Sequence, residues 1–266
     1  MLSTALARLL AAGEPAALVT VSEAQGSTPR EAGAAMLVTL AATLGTIGGG
    51  GLELRATEIA RAMLAQGEQE RDLDLPLGPL LGQCCGGRVR LELRAASAAD
   101  LDRLAAAERL ERKARPAVFV FGAGHTGRAL ARALAPLPLA VTVVDDRPDP
   151  ADWPEAVRFV RRDDPAEVLA AAPAGAAFVI LTHSHALDYR LADLALRRDD
   201  AAYIGLIGSG TKRVRFEASF LRGGGPPEAL GRLTCPIGGA EVPDKRPEVI
   251  AALTAAELLR ALSPRP

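Results

Sequence analysis

The stretch Ala117-Val118-Phe119-Val120-Phe121-Gly122-Ala123-Gly124-His125-Thr126-Gly127 decides the fold. Five apolar residues in a row, without polar alternation, read as a strand buried on both faces. Three glycines follow at the spacing Gly-x-Gly-x-x-Gly, and residues 128–135 then have the composition of a helix. Such a turn reverses the backbone sharply and lets a phosphate approach the helix N-terminus. A second apolar strand over residues 139–144 ends in Asp145-Asp146, and Asp145 stands where a carboxylate would accept from a ribose diol. Apolar runs at 176–181 and 202–207 repeat the design, each followed by a helical stretch. Apolar strands alternating with helices predict a parallel sheet covered on both faces, a Rossmann-like domain over 117–240.

Working outward, residues 98–116 read as a charged linker helix, and 241–266 as an amphipathic C-terminal helix able to pack on either domain. Residues 1–97 read as a smaller mixed α/β domain. It has a short helix at 4–10, a strand at 16–21, apolar runs at 34–40 and 44–47, a helix at 52–63 and an alternating strand at 88–94. Its loops hold most of its glycines, including Gly48, Gly49 and Gly50.

The 266 residues suit two domains. With 31 basic against 32 acidic residues and 3% aromatics, the chain has neither the field nor the stacking surface of a nucleic-acid binder. The uncharged stretch 32–52 is broken by glycines and threonines and reads as strands and turns rather than a membrane span. Three cysteines make no disulfide framework, and the N-terminus lacks the pattern of a secretory signal, so a cytoplasmic, reducing setting is expected.

Several residues have side chains suited to chemistry. His125 interrupts the glycine loop and would project toward the crevice, unless it serves only as a helix cap. The sequence Thr182-His183-Ser184-His185-Ala186-Leu187-Asp188 follows the 176–181 strand, where open α/β sheets bind ligands. His183, His185 and Asp188 could take part in a metal site, but further ligands are not adjacent. Ser184 or Asp188 could equally cap the next helix. Gly208-Ser209-Gly210-Thr211-Lys212-Arg213 is a second glycine-rich turn, whose cations oppose the helix dipole unless an anion arrives or water solvates them. Cys84 and Cys85 adjoin one another between glycines, a setting for soft-ligand or sulfur chemistry, or for two small buried side chains. Cys235 is a third thiol, in a loop.

Seven short motifs resemble the XdhC/CoxI family in the family's order. Gly26-Ser27-Thr28-Pro29-Arg30, Gly45-Thr46-Ile47-Gly48-Gly49-Gly50 and Leu81-Gly82-Gln83-Cys84-Cys85-Gly86-Gly87 resemble its N-terminal domain. Phe121-Gly122-Ala123-Gly124-His125, Thr182-His183-Ser184-His185, Gly205-Leu206-Ile207-Gly208-Ser209 and Cys235-Pro236-Ile237-Gly238 resemble its Rossmann domain. The resemblance implies a chaperone that binds the molybdenum cofactor in its molybdopterin form. It would support sulfuration by a cysteine desulfurase and deliver the cofactor to apo xanthine dehydrogenase. On that reading a glycine loop, either 48–51 or 122–127, takes the phosphate, Cys84 or Cys85 lies near the molybdenum, and His125, His183 and His185 line the crevice. Two rivals stay open. One is a NAD(P)-dependent oxidoreductase with Asp145 on the ribose, and the other is a scaffold joining desulfurase to dehydrogenase. Homodimer formation is left open too.

Overall fold

Two sheets of opposite kind organise the chain. The computed structural model divides it into two units, Met1–Glu111 and Arg112–Pro266. Residues 1–78, 86–148 and 153–263 are described.

The first unit contains α1 (Leu2–Ala11), β1 (Ala16–Gln25), β2 (Ala35–Thr39), β3 (Thr43–Gly45), α2 (Gly50–Gln66), β4 (Glu70–Pro76), β5 (Arg88–Ala95) and α3 (Ala98–Ala114). Its five strands run antiparallel in the order β3-β2-β1-β5-β4. Period-two alternation sends Val19, Val21, Val38, Leu91 and Leu93 to one face, where Leu52, Ala56, Ala60 and Met63 of α2 cover them. Leu18 and Leu37 face the other way, against Leu6 of α1 and Leu101 and Leu104 of α3. Thus α3, expected as a linker, packs within the first unit, and Ser3 donates from its backbone to Glu108 at 3.1 Å. Its start is fixed by Ser97, whose N–H and hydroxyl both donate to Asp100 at 3.0 and 2.6 Å. No strand is expected from the sequence over 70–76, where β4 forms. Its Glu-Arg-Asp-Leu-Asp-Leu-Pro run is dense in charge and ends in proline, as suits an edge strand.

The second unit contains β6 (Ala117–Phe121), α4 (His125–Leu134), β7 (Ala140–Asp145), β8 (Arg158–Arg161), α5 (Pro165–Ala170), β9 (Ala177–Ile180), α6 (His185–Arg197), β10 (Tyr203–Leu206), α7 (Gly210–Arg222), a 3-10 helix (Pro227–Arg232), β11 (Leu233–Thr234) and α8 (Pro247–Leu262). All strands are parallel, in the order β11-β10-β9-β6-β7-β8. The order reverses between β6 and β9, which makes the crevice outside their carboxyl ends the natural ligand position. Val118, Val120 and Val179 pack against Leu130 and Leu134 of α4 and Leu258 of α8. Phe121, Phe178 and Ile180 pack on the opposite face with Leu191 of α6 and Phe216 and Phe220 of α7. The C-terminal helix therefore joins the Rossmann core. The four-residue β8, absent from the sequence reading, is an edge strand with arginine at both ends.

Among the described residues no helix is long and apolar enough to cross a membrane.

Candidate functional site

The sequence motifs gather into one cluster in each unit. In the first unit, β1 carries an irregularity between Val21 and Glu23 and leads into the turn at 26–29. Gly87 lies under that turn: a Cβ there would sit 2.4 Å from the Ser27 carbonyl oxygen. Gly48 is pressed onto Pro29, to whose Cγ its own Cβ would approach within 2.6 Å. Gly48, Gly87 and the 26–29 segment, far apart in sequence, thus meet in space. Cys84 and Cys85 belong to the same sequence motif as Gly87. Those two cysteines lie outside the described residues.

The loop from β3 into α2 already holds an anion. Glu53, in the first turn of α2, accepts through Oε2 from the N–H groups of Ile47 and Gly49, both at 3.1 Å, and from the Thr46 hydroxyl at 2.5 Å. Partial burial pushes the Glu53 carboxyl up, but these three donors more than offset it and hold the group below its usual value. The amides of Ile47 and Gly49 are therefore turned on the chain's own carboxylate, and that of Gly48 on the Thr46 hydroxyl at 3.1 Å.

In the second unit the cluster forms at the carboxyl ends of the parallel strands. The three fingerprint glycines differ in what demands them. A Cβ on Gly122, where φ is +119°, would lie 2.3 Å from the Leu181 carbonyl oxygen, and one on Gly127 would lie 2.0 Å from that of Gly122. Gly124 has ordinary φ as the N-cap of α4, and nothing lies within 4 Å of the position its Cβ would take. Backbone crowding requires the first and third glycines. The second leaves an open approach to the first turn of α4, the place where a phosphate comes close in this fold.

Asp145, at the end of β7, is 2% exposed in its side chain. Its Oδ1 accepts from the N–H and Nε of Arg147 at 2.9 and 2.8 Å, and its Oδ2 from the Ala123 N–H and Arg147 Nη2 at 2.5 and 2.8 Å. Burial raises the carboxyl, yet the guanidinium and the amides of Ala123 and Arg147 hold it well below the carboxylate range. Four donors fill its acceptor positions. A ribose diol arriving here would have to displace Arg147.

The histidines lie at helix starts and loops on the crevice side of the sheet. His125 is the first residue of α4 and is exposed; Gly124, not His125, occupies the cap position. Exposed His183 lines a narrow crevice at the switch point together with Gly122, Asp145 and Thr182. His185 opens α6 and lines a different cleft, between α6 and α7. Ser184 caps α6 by accepting from the Leu187 N–H at 3.4 Å. Asp188 is turned inward: it accepts from the Thr182 N–H and hydroxyl at 2.9 and 2.8 Å and from Lys212 Nζ at 2.6 Å. Among the described residues no group of three His, Cys, Asp or Glu side chains is arranged to hold a metal ion.

Lys212 and Arg213 both have protein partners. Besides the Lys212–Asp188 pair, Arg213 binds Glu217 at 2.7 Å and donates to the Cys235 carbonyl at 3.3 Å. Cys235 is buried, and that burial pushes its thiol up, which disfavours the thiolate. Glu257 of α8 accepts from the Tyr203 hydroxyl at 2.6 Å and the Gly238 N–H at 3.0 Å, pinning the Cys235-Pro236-Ile237-Gly238 loop. Glu53, Arg147 and Glu257 are the working residues that the sequence analysis overlooks. Only Glu53 had a sequence signal, an acidic residue in a helix's first turn.

Family models match stretches of both units. Residues 9–74 match the family model described as the XdhC and CoxI family, and residues 118–258, just over half the chain, match that of the XdhC Rossmann domain. The chain belongs to the XdhC and CoxI family. Within the wider set of relatives, this XdhC-family chain is 25% identical over 265 residues to the uncharacterized protein YqeB of Escherichia coli (strain K12). That alignment covers 95% of the chain but 44% of YqeB, so the chain spans less than half of that curated relative. Its fold is similar to that of a Bacillus halodurans protein whose crystal structure is described as a xanthine dehydrogenase. The TM-score is 0.74 at 20% identity, covering 98% of this chain and 95% of the other.

Proposed function

We propose that this XdhC-family chain carries the molybdenum cofactor during maturation of a xanthine dehydrogenase. The observation that bears most weight is Gly124. It is a glycine that the fold itself does not need, placed between two that it does need, with open space over its α-carbon at the head of α4. A phosphate monoester fits that description: the first-turn amides of α4 would take the phosphate, and Thr182 and His183 would line the crevice beside it. The rival loop at 48–51 is less suited, since the Gly49 amide is taken by Glu53 and the Gly48 amide by the Thr46 hydroxyl. Bound, the cofactor supplies a molybdenum centre held by a pterin dithiolene. Cys84 and Cys85 are proposed to meet its soft end, or to take part in docking a cysteine desulfurase.

Asp145 weighs against the NAD(P) oxidoreductase reading, because the carboxylate that would hold the ribose is filled by Ala123 and Arg147. The direct test is anaerobic binding of purified molybdenum cofactor, with NADH and NADPH as control ligands. Stoichiometric retention of the pterin, with both dinucleotides ignored, is expected. Tight dinucleotide binding without pterin would overturn the reading, and partner binding without either ligand would leave the scaffold. Replacing Cys84 and Cys85 by alanine should lower pterin retention at least tenfold; equal retention removes them from the site.

A further inference from the structure

The proposed carrier role leaves the outer surface of α6 and α7 unused. A cleft of ≈ 680 Å³ opens there, lined by His185 and Tyr189 of α6 and by Thr211, Arg215, Ser219 and Arg222 of α7, with no carboxylate among its lining residues. Lys212 also reaches this wall, but its charge is spent on Asp188, and that of Arg213 on Glu217. Arg215 and Arg222 have no carboxylate partner among the described residues. They stand seven residues apart, two turns along one face of the helix.

Beside the arginines runs an apolar edge. Inward, α7 buries Phe216 and Phe220 in the core. Outward, it leaves Val214 64% and Leu221 43% exposed, with exposed Ala218 between them. Thr211, Val214, Ala218 and Leu221 follow the alternating three-and-four spacing with which one helix packs along another. The core explains the first apolar face of α7, and no described residue of the unit covers the second.

We infer that this face of α7 docks an acidic amphipathic helix of a partner protein. Apolar side chains of that helix pack on Val214, Ala218 and Leu221, and its carboxylates face Arg215 and Arg222. Charge complementarity selects this occupant over a second copy of the chain, since pairing α7 with α7 would crowd four unpartnered arginines along one seam. Exposed ion pairs add little affinity, so the apolar edge supplies most of the binding, while the arginines set register and speed encounter.

The test uses the full chain and two fluorescein-labelled helical peptides with leucine on one seam, one flanked by glutamates and its twin by lysines, read by anisotropy. The glutamate peptide should bind and the lysine twin should not. R215E/R222E should invert that preference, and V214S/L221S should weaken the glutamate peptide at least tenfold, both variants keeping the wild-type thermal melt. Failure of the wild type to bind the glutamate peptide overturns the inference, as does unchanged affinity in R215E/R222E. So does full binding by V214S/L221S with complete displacement by inorganic tripolyphosphate, which would make the face a small-anion site. None of the four substituted residues belongs to the glycine loop, so pterin retention measured on the same samples reports on the carrier role separately.

Discussion

Gly122, Gly124 and Gly127 are the same residue used for different reasons, and alanine separates them. At Gly122 and Gly127 the added methyl meets a carbonyl oxygen at 2.3 and 2.0 Å, so the backbone must shift. Each variant should lose about 1–3 kcal/mol or more in urea unfolding. G124A should unfold with the wild type and yet retain cofactor poorly, a pairing that a purely structural glycine would not give. Asp145 gives a second residue-scale prediction. Its carboxyl is depressed in the folded chain, so its contribution is present above the ordinary value of about 3.9 and is lost as the pH falls through the folded value. D145N should therefore be less stable than the wild type at pH 7, by about 1–3 kcal/mol, with the gap closing in urea melts taken below about pH 4. The spacing of the three glycines is plain in the sequence. Which of them serves the fold is not, because at Gly122 the answer lies in the Leu181 carbonyl, distant in sequence, and at Gly127 in how the turn folds back on the Gly122 carbonyl. Arg147 gives no sequence signal for the opposite reason: it lies two residues from Asp145, and nothing in the local pattern marks it as that carboxylate's partner.

Among the helices, α6 and α7 are tied at their first turns by the buried Asp188–Lys212 pair and by the Tyr189 hydroxyl, which donates to the Lys212 carbonyl at 3.3 Å. The pair's side chains are only 2% and 11% exposed, so removing one partner strands a charge. D188N or K212M alone should cost about 3–5 kcal/mol, and the double variant clearly less than the sum, in a double-mutant cycle by chemical denaturation. Additive losses would show that the two groups do not act as a pair. The sequence predicts both helices and offers Ser184 or Asp188 as the cap of α6; Ser184 takes that place, and Ser209, not singled out as a cap, starts α7. The sequence could not supply the pairing, since a lysine opposing its own helix dipole reads as a ligand contact until the carboxylate beneath it is seen. Similarly, β5 was legible from its strict alternation, whereas its neighbour β4 was not. Arg88 and Asp74 make a bidentate pair across those two strands at 2.6 and 2.9 Å, so charges that read as loop are cross-strand contacts.

For the molecule as a whole, each hydrophobic core is drawn from a single unit: two from residues before Glu111 and two from residues after Arg112. Residues 1–114 and 115–266, produced separately, should each melt cooperatively and leave the dye ANS unbound. A dye-binding, uncooperative second fragment would show that its fold depends on the first. The position of α8 has a consequence for biosynthesis. Leu258 closes the face that Leu130 and Leu134 of α4 begin, so the layer started first in this unit is completed by a helix translated only after every strand of its sheet. The first unit can finish folding while the second is still being translated. The second has only α4 over Val118, Val120 and Val179 until α8 emerges, and a ribosome stalled in that interval would hold a nascent chain with one wall of its sheet half built.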